Sequence, residues 1–185
     1  MKLKRRAKKK TDYAQRLGLL KSGKPRIVVR RHNRNIRIQV VEYGKAGDAT
    51  LVDVSSSSLK KYGWLGHGGS LPSAYLAGML AGFAARKKGI SEGILDIGLQ
   101  RSSKSSSIYA AAKGVKDAGL GINVGSEALP DESRISGKHI SDYAEKMDSQ
   151  KYERHFSACI KNNFNPKDIQ KHFEDAKNRI ISEFR

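Results

Sequence analysis

Three short runs of β-branched and apolar residues succeed one another almost without interruption: RIVVRR at 26–31, IRIQVVEY at 36–43 and TLVDV at 50–54. Only HNRN and a GKAGD stretch separate them. Connections this short cannot carry the crossover that parallel neighbours need, which takes a dozen or more residues. The three runs therefore read as an antiparallel meander. HNRN reads as its tight turn, with Asn suited to the positive φ a hairpin favours. IRIQ alternates apolar and polar, as a half-buried strand does.

Beyond the meander, helix and strand patterns alternate. SSSSLKKYGWLGHGGS reads as a glycine- and serine-rich loop. Pro72 then stands where a helix begins. Leu76, Met79, Leu80 and Phe83 mark its buried face. Ala74, Ala77, Gly78, Ala81 and Gly82 are small, so the helix is expected to lie close on a sheet, and Gly89 ends it. ILDIG at 94–98 reads as a short central strand. Ser105 or Ser106 is placed to cap the next helix, whose face is Ile108, Ala111, Ala112 and Val115. Further helices are expected over 136–147, over 151–161, and from Asn165-Pro166 onward, the last with Ile169, Phe173, Ala176, Ile180 and Phe184 on one stripe. The order β-β-β-α-β-α suits an α/β fold, a mixed sheet with helices on both faces, and it is the order that begins a ribonuclease H-like topology. The chain divides into a basic arm (1–25), an α/β core domain (26–148) and a C-terminal helical extension (149–185).

Charge is unevenly spread. The formal net charge is +18. Residues 1–37 hold fifteen Lys/Arg against one acid, Asp12, whereas residues 126–185 are neutral. Such asymmetry is the footprint of an arm or face laid on phosphates, with an anionic membrane as the alternative. The run containing Lys4, Arg5 and Arg6 reads equally as a solubilising tail. From Tyr13 onward, apolar residues recur among the charges, and Arg30, Arg31, Arg34 and Arg37 continue into the strands, which favours nucleic acid. With few apolar residues and much like charge, residues 1–25 are expected to be largely disordered until RNA orders them. The single cysteine, Cys159, excludes an internal disulfide. The basic start carries no apolar stretch after it, and residues 71–85 are too short to span a bilayer, so a soluble protein is expected.

Three features bear on chemistry. GLQRSSKS, 98–105, approaches the phosphate-binding loop G-x-x-x-x-G-K-[ST] but places Ser103 at the second glycine. A Cβ there opposes the backbone wrap, so the corner reads as an anion-attracting helix start or a plain capped loop. A ribonuclease H-like nuclease needs several converging carboxylates. RIVVRR has none, the helix at 72–88 has none, and Asp96 stands alone as a structural carboxylate. The five histidines make no recognisable zinc spacing. Trp64, beside Lys60 and Lys61, either stacks on a base or packs in the core.

The run TDYAQRLGLLKSGKPRIVVRRHNRNIRIQVV, the loop YGWLGHGGSLPSAYLAG, the segment ILDIGLQRSSKSSSIYAAAKGVKDAGL and the close SEALPDESRISGKHISDYA together resemble one family over roughly residues 8–145. It is the archaeal-type large-subunit ribosomal protein eighteen, whose eukaryotic counterpart is large-subunit ribosomal protein five. The resemblance implies a non-enzymatic, ribonuclease H-like fold without catalytic carboxylates. It implies binding to 5S rRNA, contacts with large-subunit rRNA and neighbouring ribosomal proteins of the central protuberance, and a cytoplasmic location in the large ribosomal subunit. No cofactor, metal, membrane or small-molecule substrate is implied. The family's RNA-binding arm maps onto Lys8, Lys9, Lys10, Tyr13, Arg16, Lys21 and Lys24, continuing to Arg26, Arg30 and Arg31. Its strand–helix loop maps onto Arg101, Ser102, Ser103, Lys104 and Ser105. Arg34 and Lys61 join these as basic residues placed beside them. A metal-dependent nuclease and a basic module with a nucleotide pocket remain the competing classes.

Overall fold

The computed structural model describes residues 4–8 and 10–184, and for Arg6 the backbone alone. The meander is present: β1 (Arg26–Arg31), β2 (Ile36–Glu42) and β3 (Ala49–Ser55) pair antiparallel, with a register shift at Val40/Val41. The turn closes through His32 N–H donating to the Asn35 carbonyl at 2.8 Å. Its asparagines do not take positive φ. Among the described non-glycine residues only Ser105 and Asn163 do. β4 (Glu92–Asp96) and β5 (Gly121–Ile122) add parallel strands, giving a five-stranded mixed sheet ordered β3-β2-β1-β4-β5. β4 begins and ends two residues before ILDIG, because Gly98 turns out at φ 60° and its N–H donates back to Asp96 Oδ1 at 2.9 Å.

One face of the sheet is apolar. Pairs Ile27–Val40, Val29–Ile38, Val40–Val52 and Ile38–Val54 stand in register and all are buried. Two helices cover it. α3 (Leu71–Lys87) lies against β2 and β3, and α4 (Ser107–Asp117) against β1 and β5. α3 starts at an N-cap, Ser70, and ends at Gly89, whose φ of 78° permits the return bond from Ile90 N–H to the Ala85 carbonyl. α3 lies on the sheet as expected, and two of its small residues, Gly78 and Gly82, face α4 instead. Glycines on both helices let α3 and α4 touch: a Cβ on Gly78 would come 2.1 Å from the Ala111 carbonyl oxygen, and one on Gly114 of α4 would come 2.1 Å from that of Tyr75. Pressed by the sheet, by α4 and by the C-terminal helix, α3 is buried on nearly every side from Pro72 to Gly82.

The serine-rich loop contains a 3-10 helix, Ser56–Tyr62, which delivers Leu59 and, just after it, Trp64 into the core. Short helices come after β5: α5 (Glu132–Ile135) and α6 (Lys138–Glu145). The helix expected over 151–161 is two, α7 (Ser149–His155) and α8 (Ser157–Lys161), broken at Phe156. α9 (Ile169–Glu183) buries Ile169, Phe173, Ala176 and Ile180 as the stripe predicts, and Phe184 stacks on Phe83 with ring centroids 5.5 Å apart. These side chains belong to the same core as Ile27 and Leu76, so packing is continuous across residue 149. At the other end, α1 (Lys4–Ala7) and α2 (Tyr13–Leu20) occupy the arm. At 13–20 the structure has a helix, and Asp12 Oδ1 accepts the N–H groups of Ala14 and Gln15, capping α2. Among the described residues no helix is long and apolar enough to cross a membrane.

Candidate nucleic-acid interface

The second face of the sheet is charged. Arg26, Val28 and Arg30 of β1 stand opposite Val41, Gln39 and Arg37 of β2, with Asp53 of β3 beyond and Asp96 of β4 on the other side. Strand periodicity accounts for this: residues two apart share a face, so one register puts Ile27, Val29, Ile38 and Val40 inward and the arginines outward. Arg37 bonds Asp53 through two nitrogens, and that pairing holds the Asp53 carboxyl below its ordinary range.

Between this face and α2 lies a cavity of about 420 Å³. Arg5, Lys10 and Arg16 reach it from the arm, Arg26, Arg30, Arg31 and His32 from β1 and the hairpin, and Gly98, Leu99 and Gln100 from the loop after β4. Gln100 fixes that loop: its amide nitrogen donates to the Val29 carbonyl at 2.9 Å, and its oxygen accepts the Arg31 N–H at 3.0 Å. A second, more open concavity of about 1010 Å³ lies at the hairpin tip, lined by Arg31, His32, Asn33, Arg34, Asn35 and Arg37 with Asp53, Ser55 and Ser58. Arg31 and His32 line both, so the two hollows adjoin.

Asp96 sits at the hub. Its Oδ2 accepts Arg26 Nη1 at 2.9 Å and its Oδ1 accepts Arg30 Nη2 at 3.1 Å, and Arg30 Nη1 also donates to the Asp96 carbonyl at 2.8 Å. Its oxygens are thus engaged by guanidinium groups. Arg26 is only 4% exposed, and its other terminal nitrogen reaches Asp48 at 2.6 Å. A guanidinium buried between two carboxylates holds the surface together, and Arg26 reaches the hollow as part of its wall. Such burial is tolerable only because both terminal nitrogens are paired.

The GLQRSSKS corner is tied to the segment that follows β5. Ser105 takes φ 55° and its N–H donates to the Ala128 carbonyl. Ser106 occupies the N-cap of α4 without a side-chain bond, and its Oγ and that of Ser107 are buried with no partner among the described residues. Neither Ser105 nor Ser106 therefore caps the helix as expected. Ser102 pairs with the Tyr109 hydroxyl at 2.6 Å, and exposed Lys104 pairs with Glu127 at 3.1 Å. Arg101, Ser102, Ser103 and Lys104 are exposed, and residues 101–105 line neither hollow.

The remaining candidates scatter. Lys4, Lys8 and Lys21 are exposed, and Tyr13 is half-buried. Lys24 pairs with Glu92 at 2.6 Å. Lys61 sits exposed at the end of the 3-10 helix, outside both hollows. Lys9 and the side chain of Arg6 lie outside the described residues. Trp64 packs in the core, 1% exposed and edge-on to Phe164 at 5.7 Å. Sequence reasoning missed His32, Gln100 and Asp48. HNRN carried a signal for the first, but nothing local marks Gln100 or Asp48, whose partners are 69 and 32 residues away.

The first half of the chain, residues 1–92, matches the family model described as "Ribosomal large subunit proteins 60S L5, and 50S L18". The chain is similar to the large ribosomal subunit protein uL18 of Methanococcus maripaludis, 43% identical over 180 residues that span 96% of this chain and 93% of that one. It is also similar to uL18 of Korarchaeum cryptofilum, 48% identical over 181 residues that span 97% and 93% respectively.

Proposed function

The chain belongs to the uL18 family of large-ribosomal-subunit proteins, and on that premise we propose that it binds 5S rRNA and anchors it in the central protuberance of the large subunit. Family membership makes it a structural ribosomal protein, not a member of an enzyme family. In this reading it also touches large-subunit rRNA and neighbouring ribosomal proteins, and works in the cytoplasm.

One observation carries the reading: arm, hairpin and charged sheet face converge on two adjoining basic hollows that share Arg31 and His32. Lys10, Arg16, Arg30, Arg31 and Arg34 supply cations there, and folded RNA is recognised by shape, phosphates and 2′-hydroxyls. Lys8, Lys21, Arg101 and Lys104 extend the contact outward. Arg26 supports it from beneath.

The test is a titration of a 5S rRNA transcript at several salt concentrations. Neutralising about 6–10 phosphates gives a slope of log K against log salt of roughly −5 to −9, by duplex-type counterion release. A slope near zero, or equal affinity for unrelated RNA of the same length, would sink the specific claim. ATP and GTP should leave the melting temperature unchanged, and a nucleotide-dependent rise lost in Lys104→Ala would revive the nucleotide pocket.

A further inference from the structure

An acidic residue has no evident use on a surface that receives phosphates, yet Asp48 stands in this one. Its Oδ2 accepts Arg16 Nη2 from α2 at 2.7 Å and Arg26 Nη2 from β1 at 2.6 Å. Arg26 reaches on to Asp96, and Asp96 to Arg30. Five side chains therefore alternate in sign, Arg16–Asp48–Arg26–Asp96–Arg30, and the chain of pairs still carries a net positive charge. Without the two carboxylates, three guanidinium groups would repel one another and drive α2 from the sheet.

α2 has few other anchors, since Tyr13, Leu19 and Leu20 are only half-buried. It is eight residues long, too short to be stable alone, and none of its residues is buried. Its cap, Asp12, secures its shape but not its place. Arg16 is the ion pair that ties it to the charged face, and Asp48 is the other half of that tie.

We infer that Asp48 is a positioning residue for RNA binding: it docks α2 on the charged face, so that arm and hairpin meet RNA as one preformed basic surface. This rests on the proposed rRNA-binding function. Two effects of losing Asp48 oppose each other. Removing a negative charge strengthens the general attraction of RNA, but only slightly, since it is one charge among the many cations of this surface. Undocking α2 means that RNA must order the arm as it binds, and that cost falls directly on affinity. The second effect is the larger.

Asp48→Asn, tested in the full chain, should weaken binding to a 5S rRNA transcript by about five- to tenfold, the size of a typical coupling between contacting residues. Asp48→Glu should restore it to within about threefold. Amide exchange at residues 13–20 of the free protein should speed up in Asp48→Asn, while the core still melts cooperatively at a slightly lower temperature, because Arg26 keeps Asp96 and the new amide oxygen still accepts its N–H. In a cycle with Arg16→Ala, Asp48→Asn should cost little more once Arg16 is gone. Asp96 is not the residue to test for binding, because its loss takes one of the two carboxylates from buried Arg26 and also the one that Arg30 pairs with, which lowers the stability of the fold itself. The inference is overturned if Asp48→Asn binds as tightly as the unchanged chain or more tightly, or if the two substitutions add independently. If the unchanged chain binds no 5S rRNA, the functional reading falls and this inference with it, an outcome distinct from the first two.

Discussion

The two faces of one sheet are held by different forces. On the inner face, Ile27, Val29, Ile38 and Val40 meet α3 and α4 through close packing, with glycines letting backbones touch. On the outer face, α2 is held by alternating charges and contributes no buried residue. Close packing tolerates neither gaps nor excess volume. Ion pairs depend on each partner being present and leave the surface wet and basic. The contrast teaches why the outer face can serve a polyanion while the inner one cannot: only the outer face keeps its charges within reach of solvent.

Each face can be attacked separately. The largest effect belongs to the inner face. Gly114→Val places a side chain where even a Cβ meets the Tyr75 carbonyl at 2.1 Å, so the helices must part. A loss of more than about 3 kcal/mol is expected in urea unfolding. A loss under about 1 kcal/mol would show that the α3–α4 contact is loose.

Asp96→Ala comes next, on the outer face. It leaves Arg26 buried with Asp48 as its remaining carboxylate and leaves Arg30 only its bonds to backbone carbonyls. About 2–3 kcal/mol should be lost, short of the full cost of breaking a buried pair because Arg26 keeps one partner. An unchanged urea midpoint would mean the network contributes to binding alone.

Caps give a smaller, paired test. Ser70 Oγ accepts the Ser73 N–H at the head of α3, so Ser70→Ala should cost about 1 kcal/mol. Ser106 makes no such bond at the head of α4, and Ser106→Ala should be neutral or slightly stabilising, because it deletes a buried hydroxyl without a partner among the described residues. Equal losses in urea midpoints would restore Ser106 as a cap.

The smallest effect is one of pH. Burial, and then the bond to Asp117 at 2.8 Å, push the Tyr75 phenol far above its ordinary value. The folded state thus favours the neutral phenol, so this contribution is complete below about pH 10, where the unfolded chain begins to ionise, and is lost as pH rises beyond it. Unfolding midpoints between about pH 9 and 11 should fall less steeply in Tyr75→Phe than in the unchanged chain. Identical slopes would place Tyr75 outside the core it shares with Phe173.

Local patterns in the chain were enough for the meander, for both long helices on the apolar face and for the stripe on α9, because periods of two and of about 3.6 are written in neighbouring residues. The excess of cations in the first 37 residues likewise announced a polyanion partner without any knowledge of the fold. Only the tertiary structure decided how those cations are used. Arg26 and Arg30 look alike in RIVVRR and line the same hollow, yet one is buried between two carboxylates and the other keeps its side chain over a third exposed. Gly78 and Gly82 looked suited to a sheet, and α4 claimed them. Ser55–Tyr62 looked like loop, and Leu59 and Trp64 folded it inward by burying apolar surface. Asp48 gave no sign at all. Its partners are fixed by the docking of α2 and the register of β1, and a contact between residues 32 and 22 positions apart leaves no period for a sequence to show.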